Sequence, residues 1–394
     1  MTPSIDPSRR STLVVLSGGN FAQFGTRIII GALVPFILLD FENATKSGIG
    51  LALTGMWAVY ALFQFPSGIL ADQYGERLLL LAGLAGSALG AVLLAFAPSL
   101  LVFSVFATVL GAGTGVFYPP ASVLLSRLYD DHGGPIGILA ALGTFAGLVY
   151  PAVGSAASIE LGWRTVIALT AVIPLTVLVG TVLFVPRRAP MNPSESLRSS
   201  LDVARYRKLL ARPSLLYSMA IAVAVIFTFQ AVASFFPTFL VEYHGLDRGL
   251  AGTILGLVLG ISTVAQPVAG RLSDRFSRDS IIGASLAFII LAMLVLLFSP
   301  SDIGPFVGSA LLGVGISWPG PLQSLILDNL AESERGYGFG LIRTVYMGLG
   351  ASGSVVVGTL ADVSGWFAGF GLVAVLLTTC LLLLGTNRAF SLGL

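Results

Sequence analysis

Twelve apolar runs, each long enough to cross a bilayer, leave this chain of 394 residues few folds to choose from. A membrane helix needs about 20 apolar residues to traverse roughly 30 Å of hydrocarbon. Runs of that kind fall near residues 12–38, 49–71, 78–97, 100–126, 135–158, 164–185, 213–241, 249–271, 280–299, 303–328, 337–361 and 366–386, broken by charge clusters or Pro, Gly and Asp turns. They lack the alternation of a membrane barrel and exceed its strand length. Composition agrees, with 55% hydrophobic and 10% charged residues, where a soluble domain carries about a quarter charged. The pattern predicts an all-α membrane protein of twelve transmembrane helices. It excludes a disordered chain, a disulfide-stapled module and a water-soluble enzyme. The single cysteine, Cys380, has no partner for an internal disulfide and offers no thiolate cluster for a metal.

Positive charge sets the expected orientation. With a cytoplasmic N-terminus, sixteen of the 21 Lys and Arg fall in inner segments, including Arg9, Arg10, Arg127, Arg187, Arg188 and Lys208. The outer loops hold only Lys46, Arg164 and Arg248. This positive-inside bias predicts a multi-pass protein of the plasma (cytoplasmic) membrane with both termini inside.

The chain also repeats. Residues 186–212 form one long hydrophilic interruption, with an amphipathic helix on the inner leaflet and an unstructured tether as the two readings of its latter part. Across it, Gly68-Ile-Leu-Ala-Asp72 matches Gly270-Arg-Leu-Ser-Asp274 at an offset of 202. Gly111, Gly113, Pro119 and Ser122 match Gly313, Gly315, Pro321 and Ser324 at the same offset, and Gly162-Trp163 matches Gly365-Trp366 at 203. The expected organisation is a six-helix bundle over 1–185, a basic cytoplasmic linker over 186–212 and a second six-helix bundle over 213–394.

With these motifs in view, the chain resembles a major facilitator superfamily transporter along its whole length. The segment Gly68-Ile69-Leu70-Ala71-Asp72-Gln73-Tyr74-Gly75-Glu76-Arg77 follows the family's G-x-L-A-D-R-x-G-R-K signature, departing at Gln73 and Glu76. Gly270 through Arg278 is a second copy, departing at Ser277. The resemblance implies two pseudo-symmetric bundles and alternating access. It also implies a gating role for Gly68, Asp72, Gly75, Arg77, Gly270, Asp274, Arg275 and Arg278, a charge cluster that latches one conformation and releases in the other. Glycines in such a loop let helices approach closely, and an aspartate at a helix end accepts bonds from nearby arginines or a helix N-terminus. A capped, charged tight turn accounts for either copy alone. The family's proton-coupled antiporters carry an arginine where Ala107 stands and glycines where Ala146 and Tyr150 stand.

Ionisable groups inside the membrane are costly and usually face a cavity. All 19 acidic residues fall in termini, loops or the last turns of helices, and only Arg27 and Arg343 lie within spans. Asn20, Gln23 and Arg27 follow one another at i, i+3 and i+7, so they are expected on one helical face. The repeat places Gln230 at a similar depth in the second half. A guanidinium without a mid-membrane carboxylate, flanked by amides, suits a carboxylate, sulfonate or phosphate on a substrate. Packing against backbone carbonyls and gating are the alternatives for Arg27. Arg343 sits within snorkelling distance of the interface, with Asp328 and Glu332 as possible partners. Tyr118 and Trp318, beside Pro119-Pro120 and Pro319-Gly320-Pro321, are expected at helix bends that free backbone carbonyls.

The candidate substrate-binding set is therefore Arg27, Asn20, Gln23, Gln230, Tyr118, Trp318 and Arg343. No phosphate-binding loop, metal-ligand cluster or nucleophile–base pair is present in the sequence, so no cofactor and no enzymatic activity are expected. The expected partners are a small-molecule substrate, the lipid bilayer and a coupling ion (proton or sodium), without nucleic acid, for a monomeric carrier. The expected function is secondary transport of an organic anion. Proton-coupled efflux of hydrophobic compounds and a non-transporting receptor on the same fold are the alternatives.

Overall fold

The computed structural model describes residues 7–129, 133–191, 203–331 and 334–390. Its helices include twelve long and apolar enough to span a membrane: Arg9–Asp40, Lys46–Tyr74, Glu76–Ala95, Leu100–Leu128, Gly134–Leu161, Trp163–Phe184, Pro213–His244, Arg248–Arg275, Arg278–Phe298, Gly304–Asp328, Gly338–Val363 and Trp366–Phe390, numbered spans 1 to 12 below. No strand occurs among the described residues. Hydrocarbon offers no partner for backbone N–H and C=O groups, so each span satisfies its own by helical bonding. Polar side chains set several starts. Thr45 accepts from Gly48 N before span 2, Asp247 from Gly249 N and Leu250 N before span 8, and Ser277 from Ser280 N before span 9. The repeated Gly-Trp pairs mark equivalent corners, since Gly162 and Gly365 take φ of 75° and 81° immediately before spans 6 and 12.

Spans 4 and 10 break where the sequence expects. Span 4 divides into Leu100–Gly115 and Tyr118–Leu128, and span 10 into Gly304–Gly315 and Pro319–Asp328. Tyr118 and Trp318 stand at the breaks. Further breaks at Ala171 in span 6, one turn before Pro174, and at Ala351–Ser352 in span 11, between Gly350 and Gly353, were not expected from sequence.

The two sets of six spans face each other, span 1 against span 7, span 2 against span 11 and span 5 against span 8. Spans 1 and 7 are the most buried. Glycine makes the close crossings possible. Gly50 in span 2 abuts the backbone of Ser354 and Val355 in span 11, and its repeat equivalent Gly252 in span 8 abuts Ser155 in span 5. A third crossing sets Gly31 of span 1 on the carbonyl of Ala233 in span 7. Other in-span glycines behave likewise: Gly86 meets Gly113, Gly111 meets the carbonyl of Met56, and Gly256 meets that of Leu148.

These crossings close one end of the molecule, the end that holds Lys46. There Lys46 Nζ lies 3.1 Å from Glu242 and 3.8 Å from Asp362. Asp362 also accepts from the backbone N–H groups of Lys46 and Ser47, at 3.2 and 2.7 Å. A carboxylate of span 11 thus caps span 2 across the boundary between the halves. Trp366 Nε1 donates to Glu242 at 2.9 Å and completes the cluster.

At the opposite, arginine-rich end the ion pairs Glu76–Arg127, Arg278–Asp274, Arg278–Asp328 and Arg212–Glu334 each stay within one half. Gly68 and Gly270 meet nothing within 4 Å of where a Cβ would stand. Gly270 nonetheless lies close to span 10, its Cα 3.9 Å from where a Cβ on Gly320 would stand, an approach within the second half. The helix Val203–Leu210, in the latter part of the linker, packs against the starts of spans 7 and 11 through buried Leu209 rather than standing free. Residues 192–202 lie outside the described residues.

Candidate functional site

Between the halves lies a cavity of about 260 Å³. Span 1 contributes Asn20, Phe24 and Arg27, span 2 contributes Trp57 and Tyr60, and the break in span 4 contributes Tyr118. The second half supplies Gln230 from span 7, Gln266 from span 8, Trp318 and Gln323 from span 10, and Arg343 with Tyr346 from span 11. No Asp or Glu among the described residues lines it. Six of the seven residues expected from sequence thus meet in one space.

Arg27 is 4% exposed and sits deep in the wall. Its Nε donates to the carbonyl of Gln23 at 3.1 Å, one helical turn back, which fixes the direction of the side chain. The guanidinium carbon stands 3.6 Å from the Tyr60 ring centroid and 4.7 Å from that of Trp57. Aromatic quadrupoles offset part of the cost of a buried cation. Nη1 is nevertheless buried with no hydrogen-bond partner. Arg343 faces the cavity from the other half, 5.8 Å from the Tyr118 ring, and its Nε is also unpartnered. Neither arginine makes an ion pair among the described residues. Of the two carboxylates expected as partners of Arg343, Asp328 makes no ion pair with it. Asp328 is engaged by Arg278 at 3.3 Å, and Glu332 lies outside the described residues.

The remaining expected residues divide. Gln230 lines the cavity with its Oε1 unsatisfied, while its carbonyl receives Ser354 Oγ at 3.3 Å. Trp318 and Tyr118 present rings at the two helix breaks. Asn20 reaches the cavity, but its Nδ2 is committed to the Leu139 carbonyl at 2.8 Å, so it ties span 1 to span 5. Gln23 is the correction. Its side chain is buried, does not line the cavity, and has both amide atoms unpartnered. The geometry explains why: at 3.6 residues per turn, i and i+7 lie within about 20° of each other, whereas i+3 falls about 60° aside. Asn20 and Arg27 share a direction that Gln23 misses.

Sequence reasoning did not single out Trp57, although a usable signal was present. Trp57, Tyr60 and Gln64 are spaced at three and four residues on span 2, which places an aromatic and polar stripe on one face of an otherwise aliphatic helix. The expected gating residues lie at the arginine-rich end. Asp72 is half-buried and engaged, Gly75 takes φ of 92°, and Arg77 donates to the carbonyl of Val182. In the second copy Arg278 bonds Asp274, Asp328 and Ser273, while Arg275 is exposed. The departure at Glu76 has a purpose, because that buried carboxylate is the partner of Arg127.

The family model described as Major Facilitator Superfamily matches residues 15–352 and 250–391. The chain belongs to the Major Facilitator Superfamily. Its curated relatives in that superfamily include a nitrite extrusion protein of Bacillus subtilis (strain 168), 24% identical over 280 residues, 71% of this chain and 69% of that protein. The multidrug resistance protein MdtG of Serratia proteamaculans (strain 568) is 26% identical over 334 residues, 79% of each chain. Among solved structures, a bacterial homologue of the human lysosomal transporter Spinster, in an inward-facing and occupied conformation, superposes with a TM-score of 0.82 at 16% identity, covering 98% of this chain and 97% of the other. The human organic anion transporter MFSD10 superposes with a TM-score of 0.71 at 16% identity, covering 96% of this chain and all of that one. The likeness to both solved structures is one of fold. This chain is accordingly a multi-pass membrane transporter of the superfamily, with the small-molecule site such transporters carry.

Proposed function

We propose that the chain is a secondary transporter of organic anions, with Arg27 and Arg343 holding the anionic group from opposite halves of a central cavity. One observation carries this reading: two cavity-facing guanidiniums have free nitrogen donors and, among the described residues, no carboxylate to answer them. Charge-assisted bonds from guanidinium to carboxylate, sulfonate or phosphate are the strong class of hydrogen bond. Trp57, Tyr60, Trp318 and Tyr346 offer an apolar, aromatic surface for the rest of the molecule. Phosphate alone would leave that surface unused. The substrate class is an anion with a hydrophobic or aromatic body.

In this reading the bundles 1–185 and 213–394 rock about the cavity, the segment 186–212 tethers them, and both termini face the cytoplasm of a plasma-membrane carrier acting as a monomer. The cluster of Lys46, Glu242 and Asp362 closes the outer end, and the loops carrying Asp72 and Asp274 close the inner end in the alternate state. Uptake of a panel of labelled organic anions into proteoliposomes tests the function. Saturable transport that Arg27→Gln weakens is expected; transport with unchanged KM in that variant overturns the anchor role.

Efflux of hydrophobic compounds is the second reading. The aromatic lining favours it, as does similarity to proteins named for multidrug resistance. Lipophilic cations discriminate between the two: two fixed positive charges exclude them, so their accumulation in the same vesicles would favour the second reading.

A further inference from the structure

A second pocket, of about 290 Å³, lies at the arginine-rich end of the first half, away from the central cavity. The turn between spans 2 and 3 supplies Tyr74, Arg77, Leu78 and Leu81, and the strap following span 6 supplies Arg187 and Arg188. The local fold builds this juxtaposition. Gly75, with φ of 92°, reverses the chain and leaves the Arg188 carbonyl 3.5 Å from where a Cβ would stand. Buried Glu76 holds Arg127, the last basic group of span 4. Arg127 Nη2 reaches the Ala189 carbonyl at 3.5 Å, and Arg188 Nη1 donates to the Arg127 carbonyl at 3.2 Å. The strap is thereby pinned beside the first turn of span 3, and three guanidiniums surround one small space.

Among the described residues no carboxylate neutralises them. Arg77 donates one nitrogen to the Val182 carbonyl, but its Nε is buried without a partner. Neither Arg77, Arg187 nor Arg188 makes an ion pair among the described residues. The corresponding loop of the second half is built differently, since Arg278 there is answered by Asp274 and Asp328. Three like charges held together repel unless an anion joins them. Phosphate oxygens match several guanidiniums at once through bidentate bonds. Beside the arginines, Tyr74 and Leu78 are each 57% exposed on spans that pass through the bilayer, so the same pocket opens onto hydrocarbon.

We propose that this pocket binds the phosphate headgroup of an anionic phospholipid, with the acyl chains lying along Leu78 and Tyr74. The apolar rim argues for a lipid rather than free phosphate. Bound lipid would join the span 2–3 turn to the strap after span 6 through a shared anion.

The test is thermal unfolding of the full chain in neutral detergent, titrated with short-chain phosphatidylglycerol, phosphatidylcholine or inorganic phosphate. Phosphatidylglycerol is expected to raise the melting temperature saturably, and the other two are not. Arg187→Gln combined with Arg188→Gln should bind phosphatidylglycerol about thirtyfold more weakly, at about 1 kcal/mol per arginine near an anionic headgroup. The control pair Arg271→Gln with Arg275→Gln removes the same charge from the other half and should keep the wild-type affinity. An equal rise with phosphatidylcholine, a rise with inorganic phosphate alone, undiminished affinity in the first pair or equal loss in the control pair would each overturn the site. Native mass spectrometry of the unmodified chain in equal amounts of the two lipids needs no variant. Preferential retention of phosphatidylglycerol supports the site, and equal retention removes it.

Discussion

At the scale of single residues, Arg27 carries the proposed function because its environment is incomplete. Tyr60 and Trp57 cover its face and Gln23 takes one nitrogen, yet Nη1 has no acceptor. A charge-assisted bond to a substrate contributes about 1.5–3 kcal/mol. Arg27→Gln is therefore expected to raise the KM for the transported anion about ten- to hundredfold, measured in proteoliposomes. Arg27→Lys should not restore it, since an ammonium neither stacks flat on Tyr60 nor forks two donors. If Arg27 and Arg343 grip the same anion, the Arg27→Gln/Arg343→Gln double variant will lose less affinity than the two single losses combined. Strict additivity would mean that they hold different groups. This pairing was only half legible beforehand: both arginines stood out as in-span charges, but no periodicity shows that two helices from opposite halves aim them into one space.

At the scale of helices, the crossing of spans 2 and 11 governs which end is open. Asp362 serves span 2 as an N-terminal cap supplied from the other half, and its charge also favours that helix end. Losing a capping carboxylate costs about 0.5–2 kcal/mol. Asp362→Ala should shift the population toward opening at the Lys46 end by about fivefold. Maleimide labelling of Ser354→Cys, buried against Gly50, in a chain whose Cys380 has been replaced, would report the shift. Unchanged labelling would mean that the cap does not act as a latch.

Glu76 belongs to the same scale. Glu76→Gln leaves Arg127 unpaired next to a closed turn and should lower stability by about 1–3 kcal/mol, read as earlier thermal unfolding in detergent. The helix breaks divide along the same line. Those in spans 4 and 10 were legible because proline removes a donor and crowds the preceding turn. Those at Ala171 and Ala351 also have local causes that were not read beforehand, Pro174 lacking the N–H that would bond Thr170 and Gly350 and Gly353 flanking Ala351.

At the scale of the whole molecule, the two guanidiniums constrain the transport cycle. Switching from one open end to the other requires both ends to close briefly over the cavity. Dehydrating an uncompensated ion costs several kcal/mol even after relaxation. A bound anion cancels that cost, so the loaded carrier should switch faster than the empty one. Counterflow, with anion on both sides of the vesicle membrane, is therefore expected to exceed net efflux into anion-free buffer by about tenfold or more. Equal rates would show that the cavity finds compensation elsewhere.

The amino-acid sequence alone determined the number of spans, their limits to within a few residues, the doubled plan and the family. The first three follow from chain-local physics: the length of hydrocarbon to be crossed, the need to satisfy every backbone amide within a helix, and glycines and prolines recurring at a near-constant offset. The family was read from the resemblance of Gly68–Arg77 and Gly270–Arg278 to its signature. It also marked Arg27 and Arg343 as unusual, because a charge within a span is visible in one dimension. Only the tertiary structure decided that the two face one cavity, that Trp57 and Tyr60 cover Arg27, that Gln23 turns aside, and that the Lys46 end is the one that is shut. Those outcomes depend on the rotation of each helix and the side on which two bundles touch, and these quantities are set by contacts between separate helices, some a single span apart and others between the two halves.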